Sequence, residues 1–183
     1  MGAAVGSVLR VIPLHAAEHA HHMIEMDKAE AQSGVYTPKY FDAHDYRTVQ
    51  ALCERILPAD ADGGGAMEGG APEFIDLLTS ENEEYQGTLG PGLKRLDAAC
   101  VSGYGKAWID CAAAQQTEML DRIAYWKNAE QDASLTQGVE FFSLLRNLTA
   151  DAFFTSMVGI KYLGYKGNAY LPDFPGCPPV PGV

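Results

Sequence analysis

The first residues with the types and spacing for chemistry lie in a histidine-rich segment near the amino terminus. His15, Glu18 and His19 match the pattern H-x-x-E-H, which on a helix can place two zinc ligands and a carboxylate base on one face. A catalytic zinc also needs neighbouring residues that hold its ligands rigidly, whereas this motif follows Pro13 in a stretch typical of a signal or an arm. A metal-dependent hydrolase is therefore one hypothesis, and the sequence favours adventitious metal binding by an arm.

The glycine-rich loop over residues 59–71 is the second candidate site. The sequence DADG that starts at Asp60 resembles the beginning of a calcium loop, but Gly64 and Ala71 stand where a side-chain ligand and a bidentate glutamate are needed. The glycines match neither the dinucleotide pattern G-x-G-x-x-G nor a P-loop, which requires a lysine. We therefore predict no metal or cofactor site here, and expect Asp60 or Asp62 to bind nearby backbone in a turn.

The four cysteines, at positions 53, 100, 111 and 177, form no C-x-x-C pair and predict neither a zinc site nor a redox motif. Cys53 lies on the apolar face of a predicted helix, where a small buried side chain is expected. Gly103 and Gly105 predict a turn between two helices, which would bring Cys100 and Cys111 together. These two form a possible disulfide if the protein is exported, and remain thiols if it is cytosolic.

The remaining acidic residues do not form a convincing catalytic pair. Glu81, Glu83 and Glu84 cluster, but catalysis would need one of them to be buried or shifted in pKa, and a solvated helix end is the better interpretation. No Gly-x-Ser-x-Gly elbow occurs. We predict no catalytic residue in this chain.

The elements that position these residues are predicted to be helices. Tyr46, Val49, Leu52 and Ile56 recur at helical spacing, Asp42 is available as an N-cap, and Pro58 ends the helix. No stretch alternates apolar and polar residues long enough to indicate a sheet, so the fold class is all-α, a compact helical bundle. The predicted helices span about 42–57, 72–79, 91–102, 112–128 and 136–163. The last is one helix or two in series, and its recurring apolar residues, which include Met157, predict a buried stripe.

The ends of the chain differ from this bundle. Residues 1–34 form a signal-like or docking arm, 35–163 the helical domain, and 164–183 an extended tail with five prolines and four glycines after position 163. The first residues are apolar like a secretory signal but have no charged region before them, so an exported signal and an arm both stay open. The tail carries aromatic side chains, which favours docking on a partner over packing on its own domain.

Composition excludes several classes of partner. Thirteen basic and 24 acidic residues give a net charge of -11, which repels nucleic-acid phosphates and anionic lipid headgroups. No apolar run reaches the roughly 18 residues that a membrane-spanning helix needs. We expect no nucleic acid partner and no transmembrane span.

Several motifs together resemble a known family. The pattern C-x-x-I-x-P-A-D from Cys53, the glycine loop and PEFIDLL at 72–78 come first. YGKAW at 104–108, Gln115 and Gln116, FFSLLRNLTADAFFTS at 141–156 and G-x-K-Y-L-G-Y-K-G-N at 159–168 follow. Over about residues 40–175 they are similar to the gluconate 2-dehydrogenase subunit 3 family, the small or gamma subunit.

The resemblance implies an accessory subunit. In that family a small helical subunit accompanies a large FAD-containing catalytic subunit of the glucose–methanol–choline type, often with a cytochrome c as electron acceptor. The small subunit typically bears a twin-arginine signal and escorts its partner to the periplasm, although this sequence lacks the two arginines. Small subunits of glucoside 3-dehydrogenases are similar, so the partner's substrate stays open.

We therefore expect no cofactor in this chain, FAD in the partner, and a heterodimer that can attach to the membrane through partners. The competing hypotheses are an independent helical binding domain and the metal-dependent hydrolase. The tail would contact the large subunit through Gly164, Tyr165, Gly167, Asn168, Tyr170, Pro172, Phe174 and Pro175.

Overall fold

The structure, a computed structural model, describes residues 12–31, 33–61 and 63–167. In these ranges the chain forms helices and no strands, and the all-α prediction is confirmed. The α-helices are α1 (Leu14–Glu30), α2 (Ala43–Ile56), α3 (Ala71–Glu81), α4 (Glu83–Tyr104), α5 (Ala113–Ile123), α6 (Trp126–Gln131), α7 (Thr136–Thr155) and α8 (Met157–Tyr162). Two short 3-10 helices, Trp108–Asp110 and Ala133–Leu135, lie between them.

Helix α7 is the centre of the bundle and contacts α1 to α6 and α8. Its buried face includes Phe141, Leu145, Leu148 and Ala152, which recur every three to four residues as a helix packed on one side requires. Helix α4 approaches α7 closely at Gly92, where a Cβ would overlap the ring of Phe141. The glycine therefore allows the two longest helices to pack against each other.

A buried carboxylate fixes the segment before α2. Asp76 on α3 is fully buried and accepts hydrogen bonds from the hydroxyl of Tyr36 (2.9 Å) and from the backbone N–H groups of Lys39 (2.6 Å), Tyr40 (3.1 Å) and Phe41 (2.9 Å). Burial, and then the Asp76 charge, raises the pKa of the Tyr36 hydroxyl, which therefore stays protonated as a donor. The Asp76 side chain thus orders residues 36–41, the segment that leads into α2.

A second polar cluster joins α2 to α4 and the Trp108 turn. His44 Nε2 lies 2.6 Å from Asp97 Oδ2, and Asp97 Oδ1 accepts the backbone N–H of Trp108 at 2.8 Å. The hydrogen bond to Asp97 raises the pKa of His44. Trp108 is fully buried, and its carbonyl accepts a hydrogen bond from Gln116 Nε2 at 3.0 Å. The cluster holds the turn that carries the second cysteine of the predicted pair.

The predicted helix ends near proline and aspartate are confirmed. Asp42 caps α2 by accepting from the N–H groups of His44 and Asp45, and Pro72 lies in the first turn of α3. The prediction was wrong for 112–128, which is two helices broken after Ile123, and the helix predicted from 91 begins at Glu83 with Asn82 as its cap. The predicted helix over 136–163 is two helices in series.

Part of the segment assigned to an arm is a packed helix. Helix α1 contacts α3 and α7, and Ala17, Ala20 and Ile24 are buried. The sequence gives a weak apolar pattern here because two of the three buried residues are alanines, whose small side chains let α1 lie close to its neighbours. The division of the chain into three regions stays a prediction.

Candidate partner-binding surface

The end of the bundle near α8 is built around Ser156. Its hydroxyl donates to the carbonyl of Phe153 at 2.7 Å and accepts the backbone N–H of Gly159 at 3.1 Å, so one side chain ends α7 and begins α8. A Cβ at Gly159 would overlap the Phe153 carbonyl, so only glycine fits this reversal. The direction of α8 relative to α7 is therefore fixed locally.

The far end of α8 is closed by a glycine cap. Gly164 has a φ of +62°, which favours glycine, and the N–H of Tyr165 donates to the carbonyl of Ile160 at 3.2 Å. This is the 6→1 backbone hydrogen bond that is typical of a Schellman helix end. Gly167 also has a positive φ, +82°. The glycines of the resemblance motif thus shape the exit from α8.

The predicted interface residues fall partly inside the described structure. Gly164, Tyr165 and Gly167 follow α8 directly and are exposed. The other predicted interface residues lie outside the described residues: Asn168, Tyr170, Pro172, Phe174 and Pro175. The proposed contact of the tail with a large subunit therefore stays a prediction.

The structure adds an exposed apolar surface that the sequence did not predict. We call it the α8 patch, and it consists of Phe154, Met157, Tyr162, Leu163 and Tyr165, all large and exposed. The sequence placed Met157 in the buried stripe of 136–163, which was wrong, because its side chain is 80% exposed. The break at Ser156 changes the helical phase, so the stripe buried on α7 does not continue on α8. A Ser followed three residues later by Gly is the sequence signal of this break.

A groove lies along the α8 patch and the glycine loop. It has a volume of about 750 Å³ and is lined on one side by Gly63 and Gly64 and on the other by α8. A Cβ at Gly63 would overlap the ring of Tyr162, and one at Gly64 would lie 2.9 Å from Val158. The loop glycines therefore allow α8 to approach the backbone. Asp60 Oδ1 accepts the N–H of Gly63 at 2.8 Å, which confirms the predicted aspartate turn.

The cysteine pair lies at the connection between α4 and α5. Cys100 and Cys111 are buried thiols in this structure. Burial, and then the neighbouring Cys111, raises the pKa of Cys100 to about 12. The turn predicted from the glycines does bring the two side chains together, whereas their disulfide stays a prediction. Cys53 is buried as predicted, and burial raises its pKa to about 12.

The histidines of the H-x-x-E-H motif lie on an ordered helix. His15, Glu18 and His19 occupy the exposed side of α1. Within 12–31, 33–61 and 63–167, no three His, Cys, Asp or Glu side chains are grouped so that they could hold a metal ion. His21 has a structural role, since its Nε2 lies 3.0 Å from Thr155 Oγ1 and burial lowers its pKa.

Comparison with known proteins decides the family. The family model described as gluconate 2-dehydrogenase subunit 3 matches residues 43–176, which is most of the chain. The chain belongs to this family. No curated protein and no solved structure shows a significant match.

Family membership bears on the α8 patch, because the family consists of subunits of a complex and the matched range includes the patch. A gluconate 2-dehydrogenase subunit 3 protein is an accessory subunit of an oxidoreductase complex, and membership implies a complex with a catalytic subunit. The matched range begins with α2 and extends beyond α8, so it includes the patch. Across the part of the chain that the structure describes, no helix combines the length and hydropathy required to cross a bilayer.

Proposed function

We propose that this chain is the non-catalytic small subunit of a flavin-dependent sugar or sugar-acid dehydrogenase of the glucose–methanol–choline type. It binds and stabilises a large catalytic subunit that holds FAD, and a cytochrome c accepts the electrons. The family match over residues 43–176 is the observation that carries this proposal. Under it, FAD and the reacting groups belong to the partner, and this chain supplies a binding surface.

The way buried polar groups are used supports a stabilising role. Asp76 orders the loop before α2, and Gln116 bonds the backbone at Trp108. Thr149 Oγ1 donates to the carbonyl of Leu145 at 2.8 Å. Each of these side chains completes hydrogen bonds within the bundle, as a scaffold that presents a surface requires. A catalytic acid or base would instead have to reach a substrate.

The experiment is co-expression with a large flavoprotein of the glucose–methanol–choline type from the same organism. We expect the two proteins to elute together with bound flavin, and the flavoprotein alone to yield less soluble, flavin-loaded material. The isolated small subunit should not oxidise sugars or sugar acids with an artificial electron acceptor. Two folded proteins that elute separately, or dehydrogenase activity of the isolated small subunit, would contradict the proposal.

The proposal extends to export. A cofactor-loaded enzyme has to fold before it is translocated, so one twin-arginine address can serve both subunits, and the complex would then reside in the periplasm. Fractionation of wild-type cells and of cells without the twin-arginine translocase tests this. We expect both subunits to remain in the cytoplasm of the deficient cells. Periplasmic flavoprotein in cells that lack the small subunit would contradict the escort role.

A further inference from the structure

We infer that the α8 patch is the surface through which this chain binds the catalytic subunit, an inference that rests on the proposed function. Met157 is 80% exposed and Leu163 is 58% exposed, and the aromatic residues Phe154, Tyr162 and Tyr165 are exposed as well. Met157, Tyr162 and Tyr165 line the same groove. Single exposed apolar residues are ordinary on a protein surface, whereas a cluster of large ones marks an interaction site. Tyrosine and methionine are also enriched in protein interfaces.

The patch is held in a fixed conformation. The ring of Tyr162 packs edge-on against that of Phe153, with centroids 6.0 Å apart, and Ser156 and Gly159 fix the reversal before α8. Gly63 lets the opposite loop lie against Tyr162. Because the α8 backbone and the Tyr162 ring are fixed before binding, this part of the patch loses little conformational entropy when a partner covers it.

The charge around the patch favours a different protein over a second copy of this chain. Lys161 and Lys166 are exposed beside the patch, and no acidic residue occurs from 152 to 172 in a chain whose net charge is -11. Two copies joined through the patch would face lysine with lysine and bring two strongly acidic proteins together. An apolar surface with an acidic rim on the catalytic subunit is the complementary occupant.

The predicted docking tail begins at the same place. Tyr165, 59% exposed, belongs to both the patch and the predicted interface, and Gly167 ends the described chain just beyond it. The groove of about 750 Å³ between α8 and the glycine loop could receive a side chain of the partner. The patch therefore extends the predicted interface from the tail onto the ordered bundle.

The test uses the full chain co-expressed with the catalytic flavoprotein. Met157→Glu and Leu163→Glu, singly and together, place charges in the patch. The matched control is Val101→Glu on α4, where a 52% exposed apolar residue lies outside the patch. We expect the double variant to bind the flavoprotein roughly tenfold more weakly or worse, and the control to bind like wild type. Thermal melts of the isolated chains verify that all variants fold.

Two results would overturn the inference. The first is wild-type binding by the folded double variant in a system where the wild-type complex forms. The second is that the patch has another occupant. A second copy of this chain would be seen as a wild-type dimer that the double substitution dissociates. A membrane surface would be seen as binding to anionic vesicles that the double substitution abolishes. The chain's own tail would be seen as a stability loss in the double variant that disappears once residues 168–183 are deleted. Failure of wild type to bind any flavoprotein would instead overturn the proposed function.

Discussion

Replacement of Asp76 by asparagine should destabilise the protein strongly, although the two side chains have nearly the same shape. The aspartate accepts hydrogen bonds from one hydroxyl and three backbone N–H groups while fully buried. Asparagine offers one acceptor oxygen, so when this oxygen faces Tyr40 and Phe41, its amide N–H₂ group faces the N–H of Lys39. That donor then has no acceptor.

The magnitude follows from these contacts. A buried donor without an acceptor costs about 1–3 kcal/mol, and each remaining bond loses about 0.5–1 kcal/mol when its charged acceptor becomes neutral. We therefore expect Asp76→Asn to lower the free energy of unfolding by about 3 kcal/mol, or the melting temperature by roughly 6–12 °C for a chain of this size. Urea unfolding followed by circular dichroism measures this change.

Tyr36→Phe is the matched control, since it removes only one of the bonds to Asp76 and keeps the packed ring. It should cost about 1.5 kcal/mol, and its effect should not add fully to that of Asp76→Asn because the two residues share a contact. A loss below about 1 kcal/mol for Asp76→Asn, or full additivity of the two substitutions, would refute this account of the carboxylate.

Three further predictions concern the rest of the bundle. Gly92→Ala should lower the free energy of unfolding by about 1–3 kcal/mol in the urea assay, because its Cβ would overlap the Phe141 ring on α7. Gly103→Ala, in open space on the same helix, is the control and should be neutral or stabilising. Equal effects of the two substitutions would contradict the close approach at Gly92. In denaturant, where both side chains are accessible, Cys100 and Cys111 of protein isolated from the periplasm should resist thiol alkylation until they are reduced. Labelling of both without reductant would exclude the disulfide. NMR titration should give His44 a pKa above its ordinary value, because of the hydrogen bond to Asp97. The stability that this contact contributes is therefore complete below about pH 6.5 and is lost as the pH rises through the raised pKa. A lowered pKa of His44 would contradict the contact with Asp97.

Helix ends were predictable because they depend on neighbouring residues. Asp42 and Pro72 mark the starts of α2 and α3 through the chemistry of their own turns, and Pro58 excludes continuation of α2. Helix α1 was missed as a packed element because Ala17 and Ala20 give little apolar signal. Their burial results from close contact with α3 and α7, which periodicity does not report.

The candidate surface was predicted only in part. The motif around Gly164 and Tyr165 indicated the segment next to the α8 patch, because a glycine cap and exposed aromatics have a recognisable local pattern. Met157 looked like a core residue because apolar spacing cannot show whether a helix face is covered. In the described structure Met157 is exposed.

The helical class, the capped starts of α2 and α3 and the family could be predicted from the sequence, because these depend on local backbone chemistry and on motifs within short segments. Only the tertiary structure decided which distant groups meet, such as Asp76 with the loop at residues 36–41 and Gly92 with Phe141. It also decided which apolar face stays open on α8. The physical reason is that burial and long-range hydrogen bonds depend on how helices pack, and a helix of given periodicity can be covered or left exposed.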